Sequence, residues 1–104
     1  ALLRRAHKLE EFIMIGTVSY HPKERILTSE EIKHSLSKKV ILLLELLLEN
    51  QNSIVTIERI NEHLWAWDET PSPSSLRVYI NELKKILGKE RIINHKSIGY
   101  LLEL

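Results

Sequence analysis

The segment between positions 37 and 49 constrains the fold more strongly than any other part of the sequence. It carries aliphatic side chains at positions 40–44 and 46–48, and Glu45 interrupts the run. A helix that is apolar on nearly every side must be buried on nearly every side. The run is also far shorter than the roughly 20 apolar residues that a membrane-spanning helix needs. We therefore predict a helix, opened by Ser37, at the centre of a small hydrophobic core.

The composition is that of one folded domain. The chain has 104 residues, of which 43% are hydrophobic and 28% are charged, a balance typical of a soluble globular protein. The absence of cysteine excludes a disulfide framework, a zinc ribbon and a cysteine nucleophile. No hydrophobic signal-peptide core follows Arg4 and Arg5, so we expect a cytoplasmic protein without a membrane partner.

Short apolar runs separated by turns precede the leucine-rich helix. They predict an antiparallel meander of three or four strands, with the runs at Phe12–Val18, Ile26–Thr28 and Ile32–His34. We place one turn around Pro22 and another at Ser29–Glu31, because proline, serine and charged residues cluster there.

Capping signals locate two further helices. Thr56 follows the short strand Ile54–Val55 and can cap a helix that begins directly after it. Ser72 and the proline after it open a third helix, Pro73–Leu87, and Gly88 ends that helix. Strands at 91–94 and 99–103, joined by a turn at 95–98, complete the chain. The predicted class is α+β: an N-terminal antiparallel β-meander, three helices and a C-terminal β-hairpin.

The third helix has two chemically different faces. At 100° per residue, the apolar side chains cluster on one side: Leu76, Tyr79, Ile80, Leu83, Ile86 and Leu87. The opposite arc holds Ser74, Arg77, Val78, Asn81, Lys84 and Lys85, with Glu82 on its flank. These groups suit a DNA major groove, since Arg and Lys reach guanine or phosphate, Asn pairs with adenine and Val contacts the thymine methyl. A solvated amphipathic helix without a ligand shows the same pattern.

Charge is divided unevenly along the chain. Residues 29–72 contain four basic and eight acidic side chains, whereas residues 73–96 contain six basic and two acidic ones. This asymmetry favours an anionic partner for the second segment, although ordinary scatter of surface charge explains it equally well. Lys96 and Ser97 lie near the tip of the predicted hairpin. Helix, loop, basic helix and hairpin together describe a winged helix-turn-helix, whose wing can approach phosphate or the minor groove.

Several short segments occur in the order and spacing of a known family. They are Leu36-Ser37, Ile54-Val55-Thr56, His63-Leu64-Trp65, Ser75–Ile80 with Leu83 and Leu87-Gly88, and Ile98-Gly99-Tyr100. On these segments, residues 12–104 resemble the C-terminal effector domain of OmpR/PhoB-type two-component response regulators. The resemblance implies a winged-helix DNA-binding domain over 12–104. It also implies that residues 1–11 are the end of a receiver domain and the linker after it.

The resemblance further implies a mechanism and a set of contacts. A sensor kinase acts on the receiver domain, and two effector domains then bind tandem half-sites on double-stranded DNA as a dimer. The resemblance implies phosphate contacts for Trp65, Ser75, Tyr79 and Tyr100. It implies that three side chains face bases or backbone: Val78, Asn81 and Glu82. It also implies that positive charge is supplied by Lys84 and Lys96. The loop 65–72 is implied to contact RNA polymerase.

The chain departs from this family at two places. Family members usually carry basic residues where this sequence has Asn81 and Glu82. Glu82 cannot hold phosphate, although it can accept a hydrogen bond from cytosine N4, so we expect a different target sequence. The glutamate of the usual capping box is replaced by Val40, so Ser37 caps the first helix without its reciprocal partner, a change that the fold should tolerate.

Two features leave alternatives open. Trp67, beside Asp68 and Glu69, either anchors a protein partner, as large rigid rings do, or packs back onto the domain. Glu82 and the net charge of +1 also fit a protein-interaction module on the same scaffold with weak or no specific DNA binding. We predict no enzyme, cofactor or metal site, because the histidines lack metal-ligand spacing and no glycine-rich phosphate loop occurs.

Overall fold

The computed structural model describes residues 12–104, and the linker predicted for residues 1–11 lies outside them. The described residues divide into two compact units, at positions 12–36 and 37–104. They contain the elements of the predicted class: an antiparallel meander in the first unit, and three helices and a C-terminal hairpin in the second.

The first unit is a four-stranded antiparallel meander, as predicted. Its strands are β1 (Ile13–Ile15), β2 (Val18–His21), β3 (Ile26–Ser29) and β4 (Ile32–Ser35), and each pairs with the next in chain order. Burial alternates along β2, so that Val18 and Tyr20 are buried while Ser19 and His21 are partly exposed.

The prediction of a single strand at Phe12–Val18 is wrong. Gly16 opens a tight turn inside this run, with a φ of +65° that glycine adopts without steric cost. The apolar stretch therefore folds back on itself and supplies both β1 and the start of β2. Tyr20 and His21 accordingly belong to β2 rather than to the turn around Pro22.

The central helix of the second unit is α1 (Lys38–Glu49). The Ser37 hydroxyl caps it by accepting the Val40 N–H at 3.4 Å. Its buried side chains are Val40, Ile41, Leu43, Leu44, Leu46 and Leu47. The helix contacts both other helices and the last strand, which confirms that the leucine-rich segment lies at the centre of this unit.

The other two helices begin at their predicted caps, and the last helix also ends at the predicted glycine. α2 (Ile57–Leu64) follows Thr56, whose Oγ1 accepts a backbone N–H of the first turn at 3.2 Å. α3 (Pro73–Leu87) follows Ser72, whose Oγ accepts a first-turn N–H at 3.2 Å, and Gly88 ends it with a φ of +108°. No helix within residues 12–104 has the length and hydrophobicity needed to cross a membrane.

A three-stranded sheet in the order β5-β7-β6 completes the second unit. Its strands are β5 (Val55–Thr56), β6 (Ile92–His95) and β7 (Gly99–Leu102). The predicted hairpin is confirmed, but Arg91 does not belong to its first strand. It lies in a short 3-10 turn, Lys89–Arg91, because its N–H donates to the Gly88 carbonyl at 3.2 Å. The short strand predicted at Ile54–Val55 is found one residue later, at Val55–Thr56, and its pairing with β7 is not predicted by the sequence pattern.

Gly99 allows β5 and β7 to approach closely. A Cβ atom at this position would lie 1.9 Å from the Val55 carbonyl oxygen and 2.8 Å from the Cα of Thr56. Next to this contact, the Ile57 N–H donates to the Ile98 carbonyl at 2.9 Å. The turn end of the hairpin is thereby held against the start of α2.

Candidate nucleic-acid interface

The polar face of α3 is directed to solvent. Leu76, Ile80, Leu83 and Leu87 are buried, whereas Ser74, Arg77, Val78, Asn81 and Lys85 are exposed. Because Ser72 and Pro73 fix the first turn, the period of 3.6 residues assigns each later side chain to its face. The prediction that the cationic side of this helix is accessible is confirmed.

The remaining predicted residues of α3 are only partly exposed: Ser75, Tyr79, Glu82 and Lys84. Glu82 and Lys84 line an open groove of about 1030 Å³ beside the second half of the helix, together with Val78, Asn81, Lys85, Gly88 and Lys89. One carboxylate therefore lies among ammonium groups and an amide. Such a surface can accept hydrogen bonds as well as donate them.

The tip of the hairpin presents three kinds of chemical group to solvent. Lys96 and Ser97 are exposed, and Ile98 is 52% exposed. The Ile98 N–H closes the turn by donating to the His95 carbonyl at 2.8 Å, and Ser97 takes a φ of +66°. The ammonium and the hydroxyl are donors of the type that contacts DNA phosphates.

The predicted phosphate-contacting aromatic residues differ in their exposure. Tyr100 lies in β7 between Val55 and Asn94 and is only 7% exposed. Trp65 and Tyr79 are partly exposed, and their ring centroids lie 6.4 Å apart with the planes inclined by 32°. The structure therefore brings Trp65 and Tyr79 together, whereas Tyr100 is built into the sheet.

Lys39 on α1 holds the start of the loop 65–72 in place through contacts that the sequence pattern does not predict. Its Nζ donates to the Leu64 carbonyl, forms an ion pair with Glu69 Oε1 at 3.0 Å, and lies 5.3 Å from the centre of the Trp65 ring. The partners are 25 to 30 positions from Lys39 in sequence, so no local spacing reveals the contact.

The loop 65–72 has an anchored part and an exposed part. The pKa of Glu69 is lowered below its ordinary value by two contacts. The larger effect is the hydrogen bond that the Ala66 N–H donates to Glu69 Oε1 at 2.7 Å, and the second is the contact with Lys39. Asp68 is exposed, and Trp67 is 96% exposed. The alternative in which Trp67 packs back onto the domain is therefore wrong.

These observations define a class of protein. An exposed basic helix follows a shorter helix and a loop, and a hairpin with an exposed cationic tip comes after it in the chain, which is the element order of a winged helix-turn-helix. Within residues 12–104, no three histidine or carboxylate side chains gather in a way that could hold a metal ion.

Comparison with known sequences gives the family. Residues 29–102 match the family described as "Transcriptional regulatory protein, C terminal". The chain belongs to this family, the OmpR/PhoB-type DNA-binding domains of transcriptional regulators, as the sequence resemblance predicts. Members of the family are regulatory domains and not enzymes.

Individual relatives agree with this assignment. The chain is 32% identical over 103 residues to the transcriptional regulatory protein QseB of Escherichia coli O157:H7, which covers 98% of this chain and 47% of that protein. The chain thus spans about half the length of the curated relatives it matches.

Solved structures share the fold. The response regulator DrrB, a Thermotoga maritima OmpR/PhoB homolog, superposes with a TM-score of 0.76 at 21% identity, over 99% of this chain and 51% of that one. The DNA-binding domain of Klebsiella pneumoniae RstA, solved in complex with the RstA box, superposes with a TM-score of 0.69 at 23% identity, over 89% of this chain and 97% of that one. The predicted winged-helix architecture is confirmed.

Proposed function

We propose that this chain binds double-stranded DNA at specific sequences, as the output domain of a two-component response regulator. The exposed side of α3 carries the proposal: Arg77, Val78, Asn81 and Lys85 face solvent while the opposite side of the helix is buried. In this proposal α3 enters the major groove, which admits an α-helix, and the hairpin tip approaches the backbone or the adjacent minor groove.

The exposed side chains of α3 suit different bases. Positions 81 and 82 are each three or four residues from both 78 and 85, so the four side chains lie along one side of the helix. Asn81 pairs with adenine N6 and N7, Val78 contacts a thymine methyl, and Glu82 accepts from cytosine N4. Arg77 and Lys85 reach guanine or phosphate from the same side.

Contacts with the DNA backbone set the position of α3 on the duplex. The proposed contacts are hydroxyl, indole and ammonium groups: Trp65, Ser74, Ser75, Tyr79, Lys84, Lys96 and Tyr100. Ser74 and Ser75 lie in the first turn of α3, where backbone N–H groups attract phosphate. The neighbouring rings of Trp65 and Tyr79 each carry one donor, an indole N–H and a phenol O–H.

The regulatory context is part of the same proposal. The relatives are named as response regulators and transcriptional regulatory proteins, and this chain covers about half of them. A sensor kinase phosphorylates a receiver domain, which residues 1–11 join to the DNA-binding unit 12–104. Two such units then bind tandem half-sites as a dimer in the cytoplasm, where bacterial DNA is located.

The loop 65–72 is the proposed contact with RNA polymerase. Trp67 is 96% exposed and stands beside the exposed Asp68, while Glu69 is held by Lys39. A large rigid ring on an anchored loop has the properties of a binding hot spot, because little conformational entropy is lost when a partner covers it.

A second candidate function is a protein-interaction module on the same scaffold with little DNA affinity. The exposed Trp67 favours this function, and so does Glu82, whose carboxylate lies in the groove beside α3. The salt dependence of binding separates the two candidates, because DNA binding releases counterions and protein binding through an apolar ring does not.

Selection of bound duplexes from a random pool, followed by titration at several salt concentrations, tests the proposal. We expect one enriched sequence and a slope of log K against log salt of about −4 to −5, as for about five neutralised phosphates. The double variant Arg77→Ala/Lys85→Ala should make the slope shallower by about one to two.

The control is Lys23→Ala, which removes an exposed cation from the first unit and should leave the slope unchanged. The full-length regulator is tested in its phosphorylated form as well. Absence of both an enriched sequence and any salt-dependent DNA affinity in that form would reject the proposal and leave the protein-interaction module.

A further inference from the structure

Lys39 lies where three parts of the second unit meet. Its ammonium group contacts the last carbonyl of α2, the carboxylate of Glu69 in the loop and the face of the Trp65 ring. Trp65 in turn lies beside Tyr79 on α3. A single side chain of α1 is therefore linked to the end of α2, to the loop and, through Trp65, to α3.

The three contacts of Lys39 together hold its side chain in place more firmly than the ion pair alone would. An isolated ion pair at a protein surface contributes little, since water screens it and two long side chains lose conformational freedom. Lys39 adds a backbone acceptor and an aromatic ring, and only 26% of its side chain is exposed. Glu69 is fixed in addition by the Ala66 N–H at 2.7 Å, so the acceptor is already in place for the ammonium group.

We infer that Lys39 is a positioning residue for the DNA contacts of Trp65 and Tyr79, and that it makes no phosphate contact of its own. The inference rests on the proposed function, in which these two side chains donate to phosphates. An ammonium group has three donors, and here one faces the Leu64 carbonyl and another faces Glu69, which neutralises its charge. Lys39 thus orients the neutral donors of Trp65 and Tyr79 without attracting the polyanion itself.

DNA titrations of Lys39 variants at several salt concentrations test this inference, with a duplex selected by the wild-type chain. Lys39→Met should weaken binding about threefold to tenfold, the loss expected for one or two ordinary hydrogen bonds. The salt slope should not change, because neutral N–H and O–H donors release no counterions. Lys39→Arg should restore most of the affinity, since a guanidinium also pairs with a carboxylate and stacks on an indole ring.

Two further variants separate positioning from charge. Glu69→Gln removes a negative charge and so should strengthen DNA binding on electrostatic grounds alone, yet we expect it to weaken binding because Lys39 loses its partner. In a Trp65→Phe background, Lys39→Met should have almost no additional effect, since the two changes act through the same contact. Lys38→Met, an exposed lysine one position earlier on α1, is the matched control for loss of one charge.

Each contrary result has a definite meaning. A slope that becomes shallower by about one in Lys39→Met would make Lys39 a phosphate contact and overturn the inference. Unchanged affinity, or additive effects of Lys39→Met and Trp65→Phe, would overturn it as well while leaving the proposed function intact. Failure of the wild-type chain to bind any duplex would overturn both.

Discussion

At the scale of single residues, Gly99 is required for a geometric reason. A Cβ atom there would overlap the Val55 carbonyl oxygen at 1.9 Å, and backbone atoms cannot move aside without breaking the β5–β7 pairing. Gly99→Ala should therefore lower the free energy of unfolding by about 3 kcal/mol, at the upper end of overpacking effects. Urea denaturation measures the change. Asn94→Ala, at an exposed position on β6, is the control and should change stability by less than about 0.5 kcal/mol.

Asn81 is the residue on which base recognition can be tested most directly. Its amide lies in the middle of the exposed side of α3, and an amide can form a two-point contact with adenine. Asn81→Ala should weaken binding to the selected site by about 1–3 kcal/mol and relax the preference at one base pair. Repeating the duplex selection with the variant measures both effects. An equal loss of affinity on all sequences would contradict base recognition by this residue.

At the scale of elements, the hairpin presents a cation to solvent at its tip without enlarging the buried core. Lys96 is exposed at the tip of a turn that the Ile98 N–H closes, so its removal should leave the fold unchanged. Lys96→Ala should make the salt slope of DNA binding shallower by about one, because one phosphate is no longer neutralised. A series of titrations at different salt concentrations gives the slope. If the slope stays at the wild-type value, the hairpin does not contact the backbone.

The helices are the elements that the sequence predicts best. Ser37, Thr56 and Ser72 each accept a hydrogen bond from the first turn of the helix that follows, and Gly88 ends α3 with a positive φ. These signals are local, so the chain itself displays them. The faces of α3 were equally predictable, because helical periodicity and side-chain chemistry agree from position 74 to position 87.

The sequence predicts less where the structure depends on distant residues. The turn at Gly16 divides an apolar run whose composition alone reads as one strand. The pairing of β5 with β7 and the contact of Lys39 with Glu69 join segments at least 30 positions apart, and no local pattern encodes either. For the same reason the exposed side of α3 was predictable from the sequence, whereas the contact between Lys39 and Trp65 was not.

At the scale of the whole molecule, opposite charges are assigned to different segments. Residues 29–72, which include α1, α2 and the loop 65–72, have twice as many acidic as basic side chains, while residues 73–96 have six basic and two acidic ones. The near-zero net charge thus conceals an acidic and a basic part. Under the proposed function, the basic part contacts DNA and Trp67 in the acidic part contacts a protein.

This separation can be tested at Trp67. Its ring is 96% exposed and does not pack in the core, so Trp67→Ala should leave both stability and DNA affinity unchanged. Transcription from a promoter that carries the selected site should nevertheless fall, because the loop loses its anchor for the polymerase. A reporter assay run beside a DNA titration measures the two effects separately. Equal losses in both assays would contradict a division of labour between loop and helix.

The two faces of α3 also bear on how such a protein can evolve. The residues that hold the helix in place, Leu76, Ile80, Leu83 and Leu87, are different from those that face outward. Mutations at 77, 78, 81 and 85 can therefore accumulate with little penalty in folding, and under the proposed function each new combination would favour another operator. A duplicated copy of the gene would need only a handful of codon changes to acquire its own set of promoters.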